Sequence, residues 1–317
     1  MCGITAILEK SFRLKNGRDK EEFIKKSLDK IKHRGTSIYE YRIFDNGAIG
    51  ANRLPIVDRE NGQQPLLNED NTIFAAQNGE IFNYKKLKKE LEDKGHKFKT
   101  DSDTEVLAHL YEEYGEEMIY KLDSEMFAFV IYDIKKNNFF VARDPFGVKP
   151  LFYAKEGKTH YFGSELKQLA QFDFIKEIKI FPKGHYMRNG KLKEYYKLKY
   201  SNKIKNLDYA KTKLTELIVE AVKKRVDTDL PIAVLLSGGV DSSLVMEIAT
   251  RFHKDVTAFI LGIPGSSDYE ASMRLCKDNK ASRQNNFHIL HPIFTPSLPD
   301  TQSQNFHRSL GYGSNFA

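Results

Sequence analysis

Four short apolar runs at residues 126–132, 138–142, 151–153 and 160–162 constrain the fold more than any other part of the chain. Each is rich in Phe, Tyr, Val or Ile, and only short turns separate them, so they read as successive strands. Ahead of them lie an apolar run at 4–8, an extended stretch at 48–58 and a predicted hairpin at 72–84 around Asn78-Gly79. Helical spacing marks residues 21–31, with Phe23, Ile24, Leu28 and Ile31 on one face, and again 84–91 and 104–114. Asp103 stands at the N-cap position of the last of these, and Gly95 and Gly115 follow the two helix ends. Strands with helices grouped between them, without strict βα alternation, predict an antiparallel α+β layer structure ending near Tyr196.

Past a polar, basic stretch the pattern changes. Leu214, Leu217, Ile218, Ala221 and Val222 fall on one helical face, and Pro231-Ile-Ala-Val-Leu-Leu236 is a continuous apolar run that predicts a buried parallel strand. A Gly-bearing loop at 237–243, helical spacing at 244–252 and an apolar run at 256–261 complete a strand–loop–helix–strand order. That order predicts a second, doubly wound α/β domain. The expected organisation is a first domain over 2–196, a linker at 197–207, a partial second domain over 208–280 and an atypical tail at 281–317. The tail contains no Lys and no Glu, shows no periodicity, and fits no core.

Two stretches carry chemistry. Removal of Met1 from Met1-Cys2-Gly3-Ile4 leaves a thiol and a free α-amine on one residue. With an amine near ~7.7–8.0 and a thiol near ~8.5, the amine can take the proton of its own side chain. A terminal amine serving as base for a side-chain nucleophile is an established catalytic arrangement; the competing reading is an incidental Cys on a frayed end. The second stretch is Ser237-Gly238-Gly239-Val240-Asp241-Ser242-Ser243. Adjacent glycines and a helix N-terminus suit an anion, and the absence of a Gly-x4-Gly-Lys pattern excludes the P-loop of kinases and GTPases. Asp241 in such a loop makes sense when a divalent cation accompanies the phosphates.

Further candidates lie in the first domain. An Arg fork at Arg53 suits an α-carboxylate and Asp103 an α-ammonium. The Asn78 amide with the Gly79 N–H can stabilise an oxyanion. Each also has a bland alternative: a surface ion pair, a helix cap, a hairpin turn.

Composition sets limits. The chain has 317 residues, a formal charge of +7 and only two cysteines, Cys2 and Cys276, so neither a disulfide framework nor a metal-binding cysteine cluster is expected. No run approaches the ~18 apolar residues of a membrane helix, and no secretory signal is visible. These features predict a cytoplasmic protein without membrane association. Lys and Glu interleave, as at 85–93, which reads as solvated helix surface and argues against nucleic-acid binding.

With these stretches in view, the chain resembles glutamine-hydrolysing asparagine synthetases over residues 1 to about 270. The likeness rests jointly on Met1-Cys-Gly-Ile4, His33-Arg-Gly35, Arg53-Leu54 with Ile56-Val57-Asp58, Asn78-Gly-Glu80, Ser102-Asp-Thr-Glu105, Met126-Phe-Ala-Phe129, Arg143-Asp-Pro-Phe-Gly-Val-Lys-Pro150, Gly163-Ser-Glu165 and Leu236-Ser-Gly-Gly-Val-Asp-Ser-Ser243. The resemblance implies an N-terminal-nucleophile αββα glutaminase domain joined to an incomplete ATP-pyrophosphatase domain. It implies Cys2 as the nucleophile that forms a γ-glutamyl thioester and releases ammonia. Asn78 and Gly79 would form the oxyanion hole, Arg53 and Asp103 would hold the glutamine backbone, and Leu54, Pro55, Ile56, Val57 and Glu80 would line the pocket. It further implies Leu235, Ser237, Gly238, Gly239, Asp241, Ser242, Ser243 and Leu261 as ATP contacts, with Asp241 toward Mg2+. Glutamine, aspartate and ATP are the implied substrates, the aspartate being adenylated before ammonia displaces AMP; a homodimer is left open. Thr36-Ser37 replaces the family's usual Pro-Asp, and Pro55 replaces a small residue and removes one N–H from the pocket. Family members run longer, and the loss of Lys and Glu past about 280 leads to the expectation of a shifted reading frame or a truncation. Alternatives are a glutaminase-only fragment, an inactive fragment, or an amidotransferase for another carboxylate.

Overall fold

The computed structural model describes residues 1–9, 17–35, 39–200, 203–278 and 287–290. The chain forms two compact units, 1–200 and 201–317.

In the first unit two six-stranded antiparallel sheets face each other. One has the order β10-β8-β9-β1-β3-β2, built from β1 (Gly3–Glu9), β2 (Glu40–Phe44), β3 (Gly47–Asn52), β8 (Phe152–Glu156), β9 (Thr159–Gly163) and β10 (Ile178–Ile180). The other has the order β12-β11-β7-β6-β5-β4, built from β4 (Leu66–Leu67), β5 (Ile73–Gly79), β6 (Phe127–Asp133), β7 (Asn138–Arg143), β11 (His185–Arg188) and β12 (Lys191–Glu194). Period-two alternation sorts each strand's side chains between two faces. Ile4, Ala6 and Leu8 of β1 pack with Ala76 of β5, Val130 of β6 and Val141 of β7 between the sheets. The opposite face of β1 offers Ile7 to Phe23, Ile24 and Leu28 of α1 (Gly17–Asp29), and the short α4 (Leu166–Ala170) adds Leu169 to that cluster. On the far side, Phe129, Ile131 and Phe140 meet Leu87 and Leu91 of α2 (Tyr84–Asp93) and Val106, Leu107 and Leu110 of α3 (Asp103–Tyr114). The result is four layers, αββα.

Two local expectations are corrected. Residues 72–84 are not a hairpin: β5 runs straight through Asn78 and pairs with β6, Gly79 opposite Phe127. Gly79 serves close approach, because its φ is +155° and a Cβ there would lie 2.3 Å from Met126 O. The N-cap of α3 is Ser102, whose hydroxyl accepts from Thr104 N at 3.3 Å, so Asp103 is left to point elsewhere.

In the second unit β13 (Ile232–Leu236), β14 (Val256–Leu261) and β15 (Phe287–Leu290) form a parallel sheet in that order. Helix α6 (Val240–Phe252) joins the first two strands, and α7 (Ser267–Asp278) precedes the third. The strand at 287–290 narrows the expectation of a tail outside the core, since four of its residues extend the sheet; 281–286 and 291–317 lie outside the described residues. Helix α5 (Leu207–Arg225) meets this core through Ile218, Val219 and Val222, and Val226 just past its end joins them. Leu214 and Leu217, expected on the buried face, are each 58% exposed, because the stripe in contact starts a turn later. Similarly, β13 buries Val234 and Leu236 but not Ala233 and Leu235, so it is covered on one face only. No helix among the described residues is long and apolar enough to cross a membrane.

Candidate active site

Cys2 sits at the head of β1, a central strand of its sheet, and three separate segments fix that terminus. Ile4 N donates to Ser164 Oγ at 2.9 Å, and Ile4 O accepts from Ser164 N and Gln168 Nε2. Arg34, just after α1, donates from Nε to Cys2 O at 2.8 Å and from Nη1 to Glu165 at 2.9 Å. With its amide set to satisfy both atoms, Asn78 donates to Cys2 O at 2.9 Å and accepts from Arg34 Nη2 at 3.2 Å. Burial works to raise Glu165, but hydrogen bonds from Arg34, Lys167 and His33 outweigh it and bring that carboxyl down to about 2. Arg34 is therefore a charged clamp on the Cys2 main chain.

The thiol meets the loop after β3. Leu54 N donates to Cys2 Sγ at 3.3 Å, and the thiol donates to Leu54 O at 3.6 Å. Burial pushes the thiol up, the Leu54 N–H pulls it down, and Glu80 pushes it up again. Half-buried Pro55 and Ile56 continue the loop, which turns back at Val57. Arg53 ties that turn together, donating to Val57 O, to Asp58 O at 2.7 Å and to Arg59 O at 3.3 Å. Asp58 in turn accepts from Asp101 N at 2.8 Å, joining the loop to the segment before α3.

Asp103 is buried and accepts on Oδ2 from Gln77 Nε2 at 2.6 Å and Ile81 N at 2.9 Å. Those bonds place it across the end of β5, next to Gly79 and Glu80. Burial raises Asp103, and burial with the Asp103 charge raises Glu80. Burial lowers Arg53 and Lys149, while Cys2 and Glu80 act on both in the opposite sense. Cys2, Arg53, Glu80, Asp103 and Lys149 thus form one electrostatic cluster at one end of the sandwich, mixing two cations with two acids and a thiol. Such a site matches a zwitterion whose opposite charges satisfy its two halves.

The sequence-predicted residues of the first domain are therefore brought together: Cys2, the 53–57 loop, Asn78, Gly79, Glu80 and Asp103. Sequence reasoning gave no role to Arg34, Ser164, Glu165, Gln77 or Lys149, and no periodicity singles them out. Lys149 ends a loop folded on two anchors, buried Asp144 and half-buried Arg143: Asp144 accepts from Phe146, Val148 and Lys149 N–H groups, and Arg143 donates to Gly147, Lys149 and Phe181 carbonyls. Its ammonium touches Met1 Sδ at 3.6 Å. Thr36 and Ser37 lie outside the described residues.

The loop at 237–243 is in the second unit. Ser237 N donates to Ser242 Oγ at 3.3 Å, the Ser237 and Ser242 hydroxyls lie 3.0 Å apart, and Ser243 Oγ donates to Gly239 O at 2.6 Å. Gly238 has φ +73°, and a Cβ there would lie 2.7 Å from Ala271 Cβ, so α7 presses on the loop from behind. In front, Gly239 opens the N-terminus of α6 with no side-chain cap hydrogen bond. The exposed Asp241 stands in the first turn. Leu235 is 75% exposed on the strand leading in. Leu261 ends β14, its side chain outside the described residues. Among the described residues Asp241 joins no three-ligand carboxylate or His group. A lone carboxylate suits a cation that arrives on phosphates better than a resident one.

A thiol at the head of the inner strand of an αββα sandwich defines the class: an N-terminal-nucleophile fold followed by a parallel α/β unit. The chain belongs to the glutamine amidotransferase domain family, which matches residues 1–216. An asparagine synthase domain matches residues 213–291. Glutamine-hydrolyzing asparagine synthetase 2 of Arabidopsis thaliana is 37% identical over 302 residues, covering 90% of this chain and 50% of that protein. The Zea mays glutamine-hydrolyzing asparagine synthetase is 36% identical over 304 residues, covering 91% of this chain and 50% of that protein. The chain spans about half the length of the curated relatives it matches. A solved structure titled as the allosteric regulatory enzyme of purine biosynthesis shares the fold, with TM-score 0.50 at 16% identity, covering 98% of this chain and 88% of that one.

Proposed function

We propose that this chain hydrolyses the side-chain amide of glutamine with Cys2 as nucleophile and serves ATP-dependent asparagine synthesis from aspartate. The observation that carries the reading is the Cys2 thiol on Leu54 N–H, inside a cluster that offers Arg53 to a carboxylate and Asp103 and Glu80 to an ammonium. Loss of Met1 frees the α-amine that takes the thiol proton; the thiol needs that base because burial holds it protonated. Thiolate attack on the amide carbon puts negative charge on the amide oxygen, which the Asn78 amide and Gly79 N–H receive. The amine then protonates the departing ammonia, leaving the thioester that water hydrolyses. Arg53 orients the substrate by its carboxylate. Arg34 holds the Cys2 main chain through these steps.

In the second unit the 237–243 loop and the open α6 N-terminus suit the phosphates of ATP, with Asp241 toward the Mg2+ that ATP carries. Pyrophosphate release there would activate the aspartate carboxylate for ammonia. The test has two arms. Ammonia release from glutamine should vanish in Cys2→Ala and in a chain that keeps Met1 behind an N-terminal extension. Pyrophosphate should form only when aspartate and ATP are both present. Undiminished ammonia release in Cys2→Ala overturns the nucleophile; pyrophosphate that ignores aspartate overturns the acceptor.

A further inference from the structure

Away from the thiol, on the outer helical layer of the first unit, two histidines and two glutamates converge. Glu69 comes from the turn between β4 and β5, His96 from the connection between α2 and α3, and His109 and Glu112 from one face of α3. We propose that these four side chains form a tetrahedral site for a divalent transition-metal ion, Zn2+ by its donor chemistry.

The geometry is that of ligands aimed at one point. One ligand atom from each residue lies within 4.8 Å of all the others. The two Nδ1 atoms face each other at 3.3 Å. Zn–N bonds of about 2.0–2.1 Å at a tetrahedral angle separate two nitrogens by about 3.3–3.4 Å. Glu69 approaches both rings, Oε2 at 2.9 Å from His109 Nδ1 and Oε1 at 3.3 Å from His96 Nδ1; Glu112 Oε2 is 3.9 Å from His96 Nδ1. Glu69 Oε2 is nevertheless buried without a hydrogen-bond partner, so its contact with the ring is not a hydrogen bond. A proton shared between the rings leaves that oxygen unsatisfied, whereas a cation at the common centre satisfies it.

The surroundings support the same reading. Each ring turns its other nitrogen to a carboxylate: His109 Nε2 to Glu105 Oε1 and His96 Nε2 to Glu113 Oε2, both at 3.5 Å. Metal-ligating histidines are oriented by such outer carboxylates. Glu105 is itself fixed by Lys99 N and Thr100 N at 2.7 Å, and Glu112 accepts from Asn68 Nδ2 at 2.8 Å. His109 is fully buried while Glu69 and Glu112 are about a third exposed, which gives the ion an entry path. Two imidazoles with two carboxylates suit Zn2+, while Mg2+ and Ca2+ take oxygen ligands in larger number. The site would pin α3, whose first residue is Asp103, to the two loops beside it.

The experiment uses the full chain without a histidine tag, loaded with Zn2+, dialysed against metal-free buffer and assayed by elemental mass spectrometry. One Zn2+ per chain is expected, retained in Cys2→Ala and lost in His96→Gln and in Glu112→Gln. Zn2+ should raise Tm by several degrees in the parent and in neither variant. Co2+ in its place should give the intense visible bands of a tetrahedral ion without a thiolate charge-transfer band. Glu112 is about a third exposed and only His109 of the four is fully buried, and circular dichroism of the metal-free variants separates lost binding from lost folding. Zn2+ content or Tm response equal in the parent and a folded His96→Gln overturns the proposal, as does retention that disappears in Cys2→Ala.

Discussion

The two candidate sites are built on opposite plans. Around Cys2, local bonds such as those of Arg53 shape each loop, but the contacts that bring the loops together join residues far apart in the chain: Cys2 to Leu54, Arg34 to Glu165, Gln77 to Asp103. At 237–243 the loop's hydrogen bonds among the described residues stay within seven residues of chain, and most of its side chains are exposed. A buried site of mixed charges must be held by the whole fold, because each unpaired group there is costly. An anion loop at a helix N-terminus uses main-chain N–H groups that secondary structure already supplies.

Paired glycine substitutions should give the largest contrast. Gly79→Ala adds a Cβ 2.3 Å from Met126 O at φ +155°, so it should cost about 3 kcal/mol or more in the first unit and abolish glutamine hydrolysis. Gly239→Ala meets only Ser237 Oγ, at 3.5 Å, and should cost about 0.5–1 kcal/mol as an N-cap change. Denaturant melts of both variants decide it; equal costs would break the contrast. Next comes Arg34→Lys, which cannot reach Cys2 O, Glu165 and Asn78 at once. Glutaminase kcat should fall about 10²-fold through misplacement of Cys2, with glutamine KM little changed. A rise confined to KM would assign Arg34 to substrate binding.

Acid and alkaline stability profiles sharpen the picture further. Glu165 is held at about 2, below its ordinary 4.5, so its contribution is complete above 4.5 and is lost as pH falls toward 2. Glu165→Gln should flatten that acid limb. Glu80 is raised, so its favourable contribution is complete below 4.5 and is lost as pH rises through its folded value. Glu80→Gln should therefore flatten the fall in stability between pH 4.5 and about 8. Melting curves across pH that leave either limb unchanged would remove that residue from the account. The smallest expected effect comes from two N-caps. Ser102→Ala and Asn206→Ala should each cost about 1 kcal/mol. Only Ser102→Ala should also raise glutamine KM, since α3 begins with Asp103.

Local pattern made much of this legible. The strands from Phe127 to Gly163, the α2 and α3 helices and the parallel β13–β14 pair follow from periodicity, and the Cys2 and Ser237–Ser243 motifs stand out by composition. Misreadings arose where one local signal serves two purposes. Asn78-Gly79 is a frequent hairpin turn, yet here the glycine lets β6 approach. Asp103 has a cap residue's chemistry, but Ser102 beside it takes that role and frees the carboxylate for Gln77 and Ile81. Leu214 and Leu217 have the right spacing for burial, and which turns of α5 meet the sheet is set by the strands.

The sequence by itself determined the elements, the layered class and the identity of the nucleophile candidate, because these depend on side-chain type and spacing along the chain. Only the tertiary structure decided which charges surround that thiol. Arg34, Glu165 and Lys149 fall in short motifs that by themselves assign them no role, and Glu80 reads only as pocket lining. Arg34 meets Glu165 across 131 positions of chain, hydrogen bonds hold Glu165 low, and burial raises Glu80 and lowers Lys149, effects that exist only once the chain has folded.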